Sequence, residues 1–212
     1  MKNGFDMVTD QFLVESGTLI VSDPCYEKDG ELQAVIDNVF NGPWEMETIC
    51  SDEGTFGNRV SVLIATAVGS VCREKDWKHV DADIPVDSGQ AGIFDLKYFK
   101  DDNVVRHIEL LNKDEVICEE EPWYSLCCDR TLGEEKAGVV PFGAVSSSGY
   151  GDGCYSCFIC KNKDGKVIGV KIVFIEDEDE KDEDNDMYCV DEELAYKRYE
   201  DEDDGNDDED ED

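Results

Sequence analysis

At Glu176 the chain changes character. KVIGVKIVFI (166–175) is a run of β-branched and apolar residues, and DEDEKDED (177–184) follows almost at once. A stretch so poor in apolar side chains cannot bury enough surface to offset the entropy of ordering it, so any core has to be built from what precedes it. Residues 176–212 carry 23 acids against Lys181, Lys197 and Arg198, which puts −20 of the formal −35 there and −15 on residues 1–175. The expected organisation is a single β-rich globular domain over 1–176 and an acidic low-complexity tail over 177–212. Within that tail MYCVDEELAYKRY spaces Met187, Val190 and Leu194 at i, i+3 and i+7. That spacing fits a short amphipathic helix at 187–199 or a disordered linear motif.

Upstream, the apolar residues come in short runs cut by turn chemistry. TLIVS (18–22) ends at Asp23–Pro24, because proline holds the residue before it in extended geometry. WEMETIC (44–50) and RVSVLIATAVGSVC (59–72) read as strands with SDEGTFGN as the hairpin between them. IPVDSGQAGIFD (84–95) reads as two strand pieces around Ser88–Gly89, with Asp95 capping a short helix, LKYFK. AGVVPFGAVSS, CYSCFICKN and KVIGVKIVFIE read as three more strands, the last two joined by Asn162–Gly165.

Three further stretches predict helices. Leu32, Val35, Ile36, Val39 and Phe40 recur on one helical face, and Asn41–Gly42–Pro43 supplies a stop. Val104, Ile108 and Leu111 share a face within 101–115, and Pro122 stands at the first position of a helix through WYSLCCDRTL. The sum is class α+β: a mostly antiparallel β-sheet domain, sandwich- or barrel-like, with a few short helices and a disordered acidic C-terminal tail.

SSSGYGDGCYSCFIC (146–160) is the stretch that looks most like chemistry. Cys154, Cys157 and Cys160 have iron–sulfur-like spacing, but in a strand side chains alternate, so Cys157 faces away from the other two and the three cannot share one ion. No second C-x-x-C completes a zinc site, and no cofactor or metal is expected. Gly149, Gly151 and Gly153 precede a strand, not the helix N-terminus that a dinucleotide fingerprint requires. Glycines at such positions supply positive φ in a bent hairpin. Neither His79 nor His107 can be tied to a nucleophile. The informative carboxylates are Asp23, Asp87, Asp95 and Asp152, each in a turn context beside Gly, Ser or Pro. Turn bonding to nearby N–H groups is one reading of them, and a converging ligand or cation site is the other.

GTLIVSDP (17–24), VDSGQAGIFD (86–95) and SSGYGDGCY (147–155) together resemble, in that order, motifs of the bacterial family known as domain of unknown function 4241 (DUF4241). The matching positions are Gly17, Asp23 and Pro24; Asp87, Gly89 and Asp95; and Ser148, Gly149, Gly151, Asp152, Gly153 and Tyr155. The resemblance spans most of 15–175 and leaves out the tail. The helix-like segment 31–42 is an insertion, and the cysteines lie outside the family pattern. It implies a β-rich fold in which the VDSG and GYGDG turns lie together at one end of the sheet, and it brings no established activity.

So acidic a chain is ill suited to nucleic acid or anionic membranes, whose phosphates demand cations. With no apolar core in MKNGFDMVTDQF, a cytoplasmic location with reduced thiols is expected. The expected function is that of a non-enzymatic interaction protein binding a basic protein surface, as in bacterial conflict or phage–host antagonism. The alternative is an enzyme or a small-ligand or cation-binding protein built on Asp23, Asp87, Ser88, Asp95, Ser148, Asp152 and Tyr155. A tail that responds to calcium would bind weakly, since DEDEKDED lacks the spaced ligands and glycine of an EF-hand loop.

Overall fold

The computed structural model describes residues 10–28, 33–106 and 121–176. The proposed tail, its helix at 187–199, His107 and the segment 107–115 lie outside the described residues.

The chain runs β1 (Gln11–Val14), β2 (Thr18–Ser22), β3 (Ala34–Asp37), β4 (Gly42–Asp52), β5 (Asn58–Ala67), β6 (Trp77–Val86) and β7 (Gln90–Asp95). Then follow α1 (Asp102–Arg106), α2 (Pro122–Leu132), β8 (Ala137–Val140), β9 (Gly143–Ser147), β10 (Gly153–Lys161) and β11 (Val167–Val173). The strands form a large sheet of six, β1-β4-β5-β11-β10-β6, and a small sheet of five, β3-β2-β7-β9-β8. Every pairing between these strands is antiparallel.

The two sheets stack face to face, as alternation requires of strands that bury one side. Trp44, Leu63, Ala65, Val170 and Ile172 from the large sheet meet Leu19, Val21, Ala91 and Ile93 from the small one. The central strands of the small sheet are buried on their other face too. There Ile20, Phe94, Val140 and Val145 pack under Phe99, Val105 and the α2 residues Trp123, Leu126 and Cys127. Burial on both faces explains why TLIVS and QAGIFD are nearly continuous in apolar or small residues. Phe94 lies flat across Gly92 and Gly143, where an added Cβ would sit 2.2 and 2.4 Å from its ring.

Three local readings differ from the sequence expectation. Residues 34–37 form strand β3, not a helix. The apolar spacing satisfied both periods: Ala34 and Ile36 point inward while Val35 is 54% exposed. Asn38 then takes φ 59°, which no helix tolerates, and Val39 bridges to Val167. LKYFK is a series of turns rather than a helix. AGVVPFGAVSS is a hairpin, β8–β9, because Pro141–Phe142 forms a tight turn with Phe142 at φ 61°. The helix expected within 101–115 is present as α1, Asp102–Arg106, where the described residues of that segment end.

Candidate functional site

The three family motifs meet where β2 ends and β7 begins. Asp23, the first residue after β2, is fully buried. Its Oδ1 accepts the Cys25 N–H (2.8 Å) and the Ser88 hydroxyl (2.6 Å). Its Oδ2 accepts the Asp87 and Ser88 N–H groups at 2.9 and 2.7 Å. One carboxylate thus closes its own Asx turn and pins the β6–β7 turn, VDSG, against it. Gly89 completes that turn with φ 70°, a conformation that side chains resist.

The Gly89 carbonyl accepts the Ser148 N–H (3.1 Å), which links VDSG to the loop before β10. Inside that loop the Gly151 N–H donates to the Ser148 carbonyl (2.8 Å), and the Ser148 hydroxyl donates to the Gly151 carbonyl (2.8 Å). The Tyr155 phenol lies 2.7 Å from the Gly151 carbonyl and 3.0 Å from that of Ser148. Burial pushes this phenol upward from its ordinary range. Tyr155 therefore acts as a peg that holds GYGDG in shape.

Of the seven candidate residues, Asp23, Asp87 and Ser88 form one knot, and Ser148, Asp152 and Tyr155 belong to the adjoining loop. Asp87 and Asp152 are exposed. Asp95 stands apart, at the far end of β7, about 17 Å away along an extended strand of this length. There it is fully buried and accepts the Glu15 (2.6 Å), Ser16 (2.8 Å) and Lys97 (2.9 Å) N–H groups. Asp95 fastens the β1–β2 turn as Asp23 fastens VDSG. Each carboxylate spends its lone pairs on three backbone N–H groups, to which Asp23 adds the Ser88 hydroxyl, and this is the work of a structural clasp.

Around the Asp23 knot the fold gathers residues from three separate segments. The Tyr26 phenol is hydrogen-bonded to the Asp87 carboxylate, and burial together with that bond pushes it upward. Cys25 is pushed up to about 12 by burial and then by its hydrogen bond to Asp23. From α2, Tyr124 hydrogen-bonds Ser88 and Cys128 and is raised chiefly by burial. Gln90 donates to Cys128 Sγ at 3.4 Å and accepts from the Thr131 hydroxyl at 3.2 Å. Local sequence pattern gave no sign of Tyr124, Cys128 or Thr131 here, since only tertiary packing brings α2 to this corner. Thiols and phenols raised in this way stay protonated at neutral pH and are poor nucleophiles. Among the described residues no group of three His, Cys, Asp or Glu side chains is arranged to hold a metal ion. His79 stacks edge-on against Phe158 with ring centroids 5.2 Å apart, remote from these turns on β6.

A family model described as Protein of unknown function (DUF4241) matches residues 12–172, which takes in both clasps and all three motifs. The chain belongs to this family. No curated protein and no solved structure matches it. Within DUF4241, this member uses the VDSG and GYGDG turns to close one end of a β-sandwich.

Proposed function

We propose that this chain is a non-enzymatic binding protein that engages a basic protein surface through the open face of its large sheet. The observation that carries this reading is the order of side chains across that face. Strand register lines up Glu45–Thr66–Gly169–Cys160–Trp77 in one row and Glu47–Ile64–Lys171–Phe158–His79 in the next. A third row runs Ile49–Val62–Val173–Ser156–Asp83.

Gly169 and Cys160 are buried beneath Cys72 and Trp77, and beside them Val62, Ile64, Phe158 and Val173 form a half-buried apolar strip whose margins are carboxylates: Glu45 and Glu47 on β4, Asp81 and Asp83 on β6. Lys171, the cation at the centre, is already neutralised. Its Nζ lies 3.0 Å from a Glu74 oxygen and 5.2 Å from the centroids of both Trp77 and Phe158. An apolar strip with acidic borders complements a partner that offers apolar side chains ringed by Lys and Arg. The −15 carried by residues 1–175 adds long-range attraction for such a partner and repulsion for phosphate surfaces. No helix among the described residues is long and apolar enough to cross a membrane.

The test uses the full chain and a synthetic peptide of alternating Lys and Val as the basic amphipathic probe. Binding weakens steeply as ionic strength rises from about 0.05 to 0.5 M. The double variant Glu45→Lys/Glu47→Lys loses about tenfold in affinity, equivalent to ~1.4 kcal/mol. The same charge change at Asp129 and Glu134, exposed on α2 and beyond it, has less than a third of that effect. Equal losses from the two variants overturn the assignment to this face, and binding that salt leaves unaltered overturns the basic partner.

A further inference from the structure

We infer that Cys72 and Cys160 form an oxidation site, a buried dithiol that closes to a disulfide when a peroxide supplies the oxidising equivalents. The inference is independent of the partner proposed above.

The niche is created by Gly169 on β11. It stands opposite Cys160 on β10 and opposite Thr66 on β5, and it has no side chain to fill the space above it. A Cβ built on Gly169 would lie 2.6 Å from Cys72 Sγ, 2.9 Å from the Trp77 ring and 3.3 Å from Cys160 Cβ. Cys72 reaches this point from the loop between β5 and β6, and its thiol is hydrogen-bonded to that of Cys160. The Cys72 sulfur and the Cys160 Cβ are therefore both within 3.3 Å of one point in space, although the residues are 88 positions apart. Such proximity is what a disulfide needs and what chance seldom supplies.

The two thiols differ in access. Cys160 is 1% exposed, whereas Cys72 is only partly buried. The peroxide accordingly meets Cys72 first. Its terminal oxygen transfers to the Cys72 sulfur, forming a sulfenic acid and releasing one water. The Cys160 sulfur then attacks the Cys72 sulfur, the S–O bond breaks, and the leaving hydroxide takes the Cys160 proton as a second water. Both sulfurs end oxidised, and both peroxide oxygens end reduced as water.

Burial and the bond to Cys160 push Cys72 up to about 12. Thiolate is then scarce at neutral pH, so closure is slow there and faster at alkaline pH. Two other thiols of the large sheet are placed differently. Cys157 faces the opposite side of β10, into the sandwich core opposite Ile172, and Cys50 is exposed on β4.

The experiment treats the full chain with hydrogen peroxide at two alkaline pH values, blocks remaining thiols with N-ethylmaleimide in denaturant, and maps the digest by mass spectrometry. A peptide pair joined through Cys72 and Cys160, dissolved by dithiothreitol and formed faster at the higher pH, is the expected result. Cys72→Ser lies in a loop, keeps the fold by circular dichroism, and abolishes the pair, while Cys50→Ser leaves it intact. The inference is overturned if both residues are recovered alkylated, if Cys72 ends as a sulfinic acid with Cys160 still a thiol, or if the dominant link joins other cysteines.

Discussion

The small sheet and the large sheet are made from similar strands and do different work. The small one is covered on both faces along β2, β7 and β9, by the large sheet on one side and by α1, α2 and the turns after β7 on the other, while its edge strand β3 turns Val35 to solvent. Its strands read almost without polar interruption, and β7 is buried at every position. The large sheet buries one face, so β5 alternates between buried and half-exposed residues along most of its length. A sheet closed on both sides can only hold the fold together, whereas a sheet with a solvent face can also meet a partner. Function is therefore sought on the open face, and stability at the covered one.

The contrast is broken most directly by removing an aromatic ring from each. Phe94→Ala in the small sheet empties the space between Phe99, Trp123 and the two glycines beneath, and costs about 3–5 kcal/mol in urea unfolding. Phe158→Ala on the open face costs roughly half as much, since its ring is already partly in water. Equal losses would mean that the open face is covered in solution.

The clasps come next. Asp23→Ala strands the N–H groups of Cys25, Asp87 and Ser88 and costs about 2–4 kcal/mol by the same measurement. Asp152→Ala, in the neighbouring loop but exposed, shifts stability by less than about 0.5 kcal/mol. A large loss at Asp152 would give that side chain a role beyond the turn. The smallest effect belongs to the margin of the open face. Glu47→Ala leaves the unfolding free energy in urea within about 0.5 kcal/mol of the parent, yet measurably weakens binding of the Lys–Val peptide. A variant that altered stability and not binding would assign Glu47 to the fold.

How far the sequence could be read followed the range of the forces involved. SDEGTFGN, Asp23–Pro24 and Pro122 mark boundaries through φ restriction and turn bonding, which act within a few residues, and the structure has them where expected. Segment 31–42 misled because four residues of apolar spacing satisfy both a helix and a strand. The pairing of Leu19 with Ile36 and the αL turn at Asn38 settled the matter. The Pro141–Phe142 turn was hidden for a related reason: Phe142 is no turn former by type, and the β8–β9 ladder holds it at positive φ.

The two clasps divide along the same line. By itself the sequence determined the near half of each: an aspartate ending a strand bonds the N–H two residues on, as Asp23 does with Cys25 and Asp95 with Lys97. It also set the sign of the surface charge, which is additive over residues and needs no fold. Only the tertiary structure decided the far half, where Asp23 takes Asp87 and Ser88 and Asp95 takes Glu15 and Ser16. Those partners lie up to 80 positions away, Cys72 meets Cys160 across 88, and the rows across the large sheet likewise join distant segments. A hydrogen bond is short in space whatever its separation along the chain, so strand pairing alone selects which distant groups it joins.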